Sequence, residues 1–106
     1  RTQARADADA LRLRLMQETA EIRSRLVQAI AEQQSLTTKV VPAAREALRL
    51  HQEEFAAGMA DLPAVLDSQR AVIDVESQVL TSRLRAAEAV IDLHALLNGF
   101  ATSTQP

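Results

Sequence analysis

Apolar residues recur every seven positions along both halves of this 106-residue chain. In the first half Leu15, Ile22, Ala29, Leu36, Ala43 and Leu50 form one track, and Leu26, Val40 and Ala47 fall on a partner track four residues further on. That spacing is a heptad seam, the mark of helices packed side by side. Thr19, Gln33 and Glu54 interrupt the partner track, which suits an antiparallel packing better than a free-standing zipper. Glycine is absent before Gly58 and helix formers dominate, so the pattern predicts one helix over residues 3–57, about 80 Å long at 1.5 Å per residue. Pro42 is its one defect. A proline inside a helix removes the hydrogen bond to the carbonyl four residues back, here Thr38, and a kink is expected.

The second half carries a wider apolar face. Leu66, Ile73, Leu80 and Ala87 make one track, Val65, Val72, Val79, Ala86 and Leu93 the adjacent one, and Val75, Ala89 and Leu96 extend it further round. A single partner helix cannot cover so broad a face. The helix is predicted over residues 62–97, stopping at Asn98-Gly99, with 98–106 as a disordered tail.

Between the halves, residues 58–61 read as a tight turn. Gly58 suits the left-handed conformation that ends a helix, Asp61 can cap the next one, and Pro63 is tolerated in a first turn where its missing donor is not needed. The fold class expected is therefore all-α, a long antiparallel coiled-coil hairpin whose first helix is the longer. A fold-back centred near residue 60 would set Val40 against Leu80, Leu36 against Leu84 and Ala29 against Ile91. Leu11, Leu13, Leu15 and Met16 would then project without cover, so self-association of the segment is expected.

Composition narrows the chemistry. The formal charge is −2 with acids and bases interspersed, so no basic stripe exists to neutralise phosphates and nucleic acid is not an expected partner. No apolar run reaches the length of a membrane span. Without cysteine there are no thiolate metal ligands, disulfides or thiol nucleophiles. The turn-centred register puts His51 opposite about residue 69 and His94 opposite about residue 26, so the two histidines cannot share a metal or a proton. Ser68, Ser77 and Ser82 are left without a second histidine to activate them, and no glycine-rich phosphate loop is present. A non-enzymatic protein with no cofactor and no metal site is expected. The start at Arg1 reads as a mature or excised segment.

The run Phe55-x-x-Gly58-x-x-Asp61-Leu62-x-x-Val65-Leu66-Asp67-x-Gln69-Arg70 resembles the periplasmic tip of TolC-like outer-membrane efflux proteins, where an aromatic-x-x-G motif precedes a "DVLDAQR" stretch. "AEIRSRLVQA" is similar to a stretch early in that family's descending helix, and "DLHALLNG" to the "LYKALGG" ending of its last helix. The ending points to the second of the family's two repeats. "VVPAAREAL" is similar to the heavy-metal branch, the Czc- and Cus-type exporters.

The resemblance implies a homotrimer whose long helices form a periplasmic duct beneath an outer-membrane barrel, passively conducting exported substrate, metal ions in this branch. It also implies that the tip, Gly58, Met59, Asp61, Leu62 and Pro63, docks a periplasmic adaptor (a membrane fusion protein) that couples to an inner-membrane pump. Phe55, Asp67 and Arg70 would line the channel entrance, with Asp67 forming an acidic ring that favours cations. Ala60 and Ala64 depart from the family, standing where it has an arginine and an aspartate, so its polar gate does not carry over. A different class remains open: a coiled-coil hairpin of an adaptor or scaffold, acting only as an interaction module. The capping role of Asp61 and the turn role of Gly58 hold under either reading.

Overall fold

The computed structural model of the chain describes residues 2–104. Among them every regular element is helical: α1 spans Thr2–Ser35, a π-helical turn spans Leu36–Val40, α2 spans Val41–Ala56 and α3 spans Leu62–Thr104. The chain doubles back once, between α2 and α3, as an all-α helical hairpin whose first arm is the longer. Alanine, the commonest residue, and the long runs without glycine make helix the low-cost state along both arms.

The helix expected to stop at Leu97 continues through Asn98 and Gly99 to Thr104. An Asn-Gly pair ends a helix when the glycine turns left-handed, and Gly99 does not take a positive φ. Kept helical, a glycine costs only about 1 kcal/mol relative to alanine. The disordered tail expected at 98–106 is thus helical as far as Thr104, and Gln105 and Pro106 lie outside the described residues.

The defect expected at Pro42 takes the form of the π turn. Proline has no amide hydrogen, and in an unbroken α-helix its ring would collide with the carbonyl of Thr38. Here the Val41 amide donates to the carbonyl of Leu36, five residues back, and Pro42 falls in the first turn of α2, where no donor is required. The hydroxyls of Thr37 and Thr38 supply donors to the end of α1. Thr37 Oγ1 donates to the carbonyl of Gln33 at 2.9 Å, and Thr38 Oγ1 to that of Gln34 at 2.6 Å.

The chain divides into two compact units, Ala29–Leu84 and Arg1–Gln28 with Arg85–Pro106. In the first, the seam buries Ala29 and Leu36 and half-buries Gln33, Val41, Ala44, Leu48 and His51; α3 answers with Val65, Ser68, Val72, Val75, Val79 and Ser82. In the second, Ile22 is buried and Leu15, Thr19 and Leu26 are half-buried, with Ala86, Ala89, Leu93 and Leu96 on α3.

Two face assignments need correction. After the π turn the seam does not continue through Val40, Ala43, Ala47 and Leu50. It moves one residue on, to Val41, Ala44, Leu48 and His51. A five-residue turn in place of a four-residue one inserts one position, which rotates everything beyond it by about 100°. On α3, Leu80, Leu84 and Ile91 were expected to face the first arm, yet they are 60%, 63% and 65% exposed. The seam runs one track over, through Val79, Ser82 and Ala89. Charge supplies the reason. The Leu66–Ile73–Leu80 track continues helically through Gln69, Glu76 and Arg83, whose burial would cost more than the leucines return, whereas the Val65–Val79 track is completed by Ser68, Val75 and Ser82. Ser82 is fully buried and satisfies its own hydroxyl by donating to the Val79 carbonyl at 2.7 Å.

Surface charges then align the arms of the Ala29–Leu84 unit. Arg45 pairs with Glu76 across the hairpin at 2.7 Å, while Arg49 holds Glu46 at 2.6 Å and also pairs with Glu53 along α2. The hydrogen bond from Arg49 keeps the Glu46 carboxyl below its ordinary pKa. A depressed folded-state pKa supports the helix fully above the ordinary carboxylate range and loses that support as pH falls through the depressed value. An amide titration by NMR should show the first turns of α2 loosening in acid, and Glu46→Gln should abolish that component.

Ser82→Leu should overpack the seam and cost about 1–3 kcal/mol. Leu80→Ser, on the outer face, should change the stability of the isolated chain by no more than about 0.5 kcal/mol in urea unfolding.

Candidate docking tip

The hairpin corner is built by two helix ends, each closed by its own hydrogen bonds. At the end of α2, the Gly58 amide donates to the Phe55 carbonyl at 3.0 Å and the Met59 amide to the Glu54 carbonyl at 2.7 Å. These two bonds, with Gly58 at φ +74°, make a Schellman motif. A Cβ on Gly58 would meet nothing within 4 Å, so the position requires glycine for its backbone conformation and not for space. At the start of α3, Asp61 Oδ1 accepts from the Ala64 amide at 3.3 Å, the bond of an N-cap, and Pro63 sits in the first turn.

This corner presents a compact set of groups to solvent. Gly58, Met59, Asp61, Leu62 and Pro63, the residues expected to dock an adaptor, are all exposed, Met59 at 80%. Ala60 and Ala64 are half-buried beneath them. A methionine and a leucine held out by a rigid turn offer apolar contact with little ordering cost, and Asp61 adds one carboxylate at the rim. Phe55, Asp67 and Arg70, expected to line an entrance, are also exposed. Asp67 and Arg70 lie three residues apart and so share a face of α3, while no ion pair joins them among the described residues.

Just behind the tip, His51 Nδ1 and Ser68 Oγ are hydrogen-bonded across the hairpin. The turn-centred register sets His51 opposite about residue 69, and its partner is the neighbouring position, Ser68. The donor in this bond is set by the imidazole tautomer. Ser68 is buried in the seam, and the surrounding amides belong to the interior of α3, where they are engaged in the helix. The pair is a polar contact between the two arms, set within an otherwise largely apolar seam. The signal in sequence was the serine at the seam position of α3, which the leucine-rich track beside it obscured.

In the unit formed by the chain's two outer segments, a groove of about 590 Å³ lies between α1 and α3, lined by Leu11, Leu15, Met16, Leu96 and Leu97 among others. Leu15 is half-buried there, so it has partial cover within the chain. Leu11, Leu13 and Met16 remain exposed. Arg25 and Asp92 form an ion pair in the same unit at 3.3 Å.

Gly58→Ala should destabilise the hairpin by about 1–2 kcal/mol, because an L-residue is forced left-handed. Gly58→Asn should cost less. Asp61→Ala should cost about 0.5–2 kcal/mol through the lost cap. Thermal or urea unfolding of the single variants reads all three.

No family model matches the chain, and no curated protein or solved structure matches it either.

Proposed function

We propose that this chain is a periplasmic hairpin of a TolC-like outer-membrane efflux duct, a passive conduit whose tip docks an adaptor. The observation that carries the reading is the second apolar stripe on α3. In the Ala29–Leu84 unit, Leu66, Ile73, Leu80 and Leu84 stand exposed on the side of a helix whose other side is already packed against its own hairpin partner. Apolar surface left in water costs about 25 cal/mol per Å², and an ordered stripe at helical spacing is what lateral packing against further helices requires. A wall of hairpins, three chains joined around a lumen, supplies those neighbours. The tip residues stand out at the end of this unit, in the place where the resemblance puts adaptor contact.

In this reading Gly58, Met59, Asp61, Leu62 and Pro63 meet the adaptor, and Phe55, Asp67 and Arg70 border the entrance. The carboxylate of Asp67, repeated by symmetry, would make a ring attractive to cations, in keeping with metal ions as the cargo. The energy of export comes from the inner-membrane pump and not from this component.

The test uses the full-length protein in its bacterial host. Ile73→Glu and Leu80→Glu together should reduce the trimer recovered by crosslinking in the cell envelope, because they put charge into the lateral contact. Met59→Glu or Leu62→Glu, at exposed tip positions that take no part in the turn's hydrogen bonds through their side chains, should leave the trimer intact while lowering metal tolerance. Intact trimers in the double glutamate variant, or unchanged tolerance in the tip variants, would contradict the reading; the latter result alone would remove the docking tip and leave the wall.

A further inference from the structure

The π turn separates two apolar tracks that both run through the first arm. Before it, the seam holds Leu15, Ile22, Leu26, Ala29 and Leu36, and continuing that spacing past the turn reaches Val40, Ala43, Ala47 and Leu50. The neighbouring track, one residue on, holds Met16, Ala20, Val27 and Ile30 before the turn, interrupted by Arg23, Gln34 and Thr37, and Val41, Ala44, Leu48 and His51 after it. In the structure the arm uses the first track up to Leu36 and the second from Val41 onward, so Val27, Ile30, Val40 and Leu50 are exposed. Between residues 40 and 51 neither track contains a charged residue. Either one could close against α3.

We propose that α2 has two registers against α3 written into its sequence, and that Pro42, through the π turn at Leu36–Val40, locks the hairpin in one of them. The second register is the one an unbroken α-helix would adopt, with Val40, Ala43, Ala47 and Leu50 in the seam. Reaching it turns α2 by about 100° about its own axis.

The position of the lock is fixed from both sides. On the C-terminal side, an α-helical path through the turn would place Pro42 in a helix interior, with its ring against the Thr38 carbonyl and one hydrogen bond absent. On the N-terminal side, moving the π turn back would exchange Gln33 and Leu36 for Gln34 and Thr37 at the seam. Leu36 is one of the few large side chains that is buried, and Thr37 is exposed with its hydroxyl bonded to the Gln33 carbonyl. The turn therefore has one place to sit. Two contacts hold the chosen register beyond the apolar seam, the His51–Ser68 bond and the Arg45–Glu76 pair. Both are specific to it, since a one-residue rotation carries His51 and Arg45 off their partners.

The absence of native cysteine makes the registers directly readable. Two double variants, His51→Cys/Ser68→Cys and Leu50→Cys/Ser68→Cys, are oxidised or treated with a short bifunctional thiol reagent, each with Pro42 present and with Pro42→Ala. With Pro42, the 51/68 pair should crosslink and the 50/68 pair should lag. With Pro42→Ala, the ratio of 50/68 to 51/68 crosslinking should rise by about a hundredfold, the bias that a helix-interior proline imposes. A rise of less than about tenfold would overturn the proposal, since proline would then not be what selects the register. Circular dichroism on Pro42→Ala gives a second reading: retained helicity and a cooperative melt are expected, and loss of the folded hairpin would also overturn it, because no second register would exist to receive the chain.

Discussion

The missing amide hydrogen of Pro42 is the constraint on which the arrangement of the tip-bearing unit depends. An α-helix cannot pass through that residue without losing a bond and meeting the Thr38 carbonyl. The chain answers with a longer turn, in which the Val41 amide reaches back to Leu36. The accommodation has a consequence well beyond its own five residues. It rotates α2 so that Val41, Ala44, Leu48 and His51 meet α3, and it decides that His51 finds Ser68 and Arg45 finds Glu76. The identity of the groups left facing outward follows from the same rotation, including Val40 and Leu50.

The other arm solves a related problem with side-chain size and charge. α3 has enough apolar surface for two seams, and the one it uses against its partner contains Ser68, Ser82, Ala86 and Ala89. Small residues let two helices approach closely, and their polar atoms are satisfied locally, Ser82 by the Val79 carbonyl and Ser68 by His51. The leucines and isoleucine of the outer stripe are thereby left exposed. On α3 of the Ala29–Leu84 unit the inner face thus mixes serines with Val65, Val72, Val75 and Val79, and the bulkier Leu66, Ile73, Leu80 and Leu84 stay outside.

Much of this was legible in the residues, and the gaps have physical causes. Heptad spacing and the Gly58, Asp61 and Pro63 signals carry the hairpin, because helix period and cap chemistry are local properties. His51 falls within one position of its anticipated partner for the same reason: a tight turn fixes the register near it. What spacing alone misjudged was which of two adjacent tracks faces inward. On α3 the charged Glu76 and Arg83 in the outer track carried that information and the leucine content masked it. On the first arm the shift at Pro42 depends on a backbone response, kink or π turn, which the period does not encode. Gly99 shows the converse failure. A stop signal is a permission for the backbone to turn, and α3 continues to Thr104 without using it.

The central claim is that the buried face of the first arm slips by one residue at the π turn, and a single-cysteine accessibility scan over positions 36 to 51 tests it most directly. Each position in turn receives the only thiol in the chain, and its rate of alkylation in the folded protein is measured against the unfolded one. The account predicts protection at 36, 41, 44, 48 and 51, with 40, 43, 47 and 50 reacting freely. Protection at 36, 40, 43, 47 and 50 would mean an uninterrupted heptad, and would contradict it.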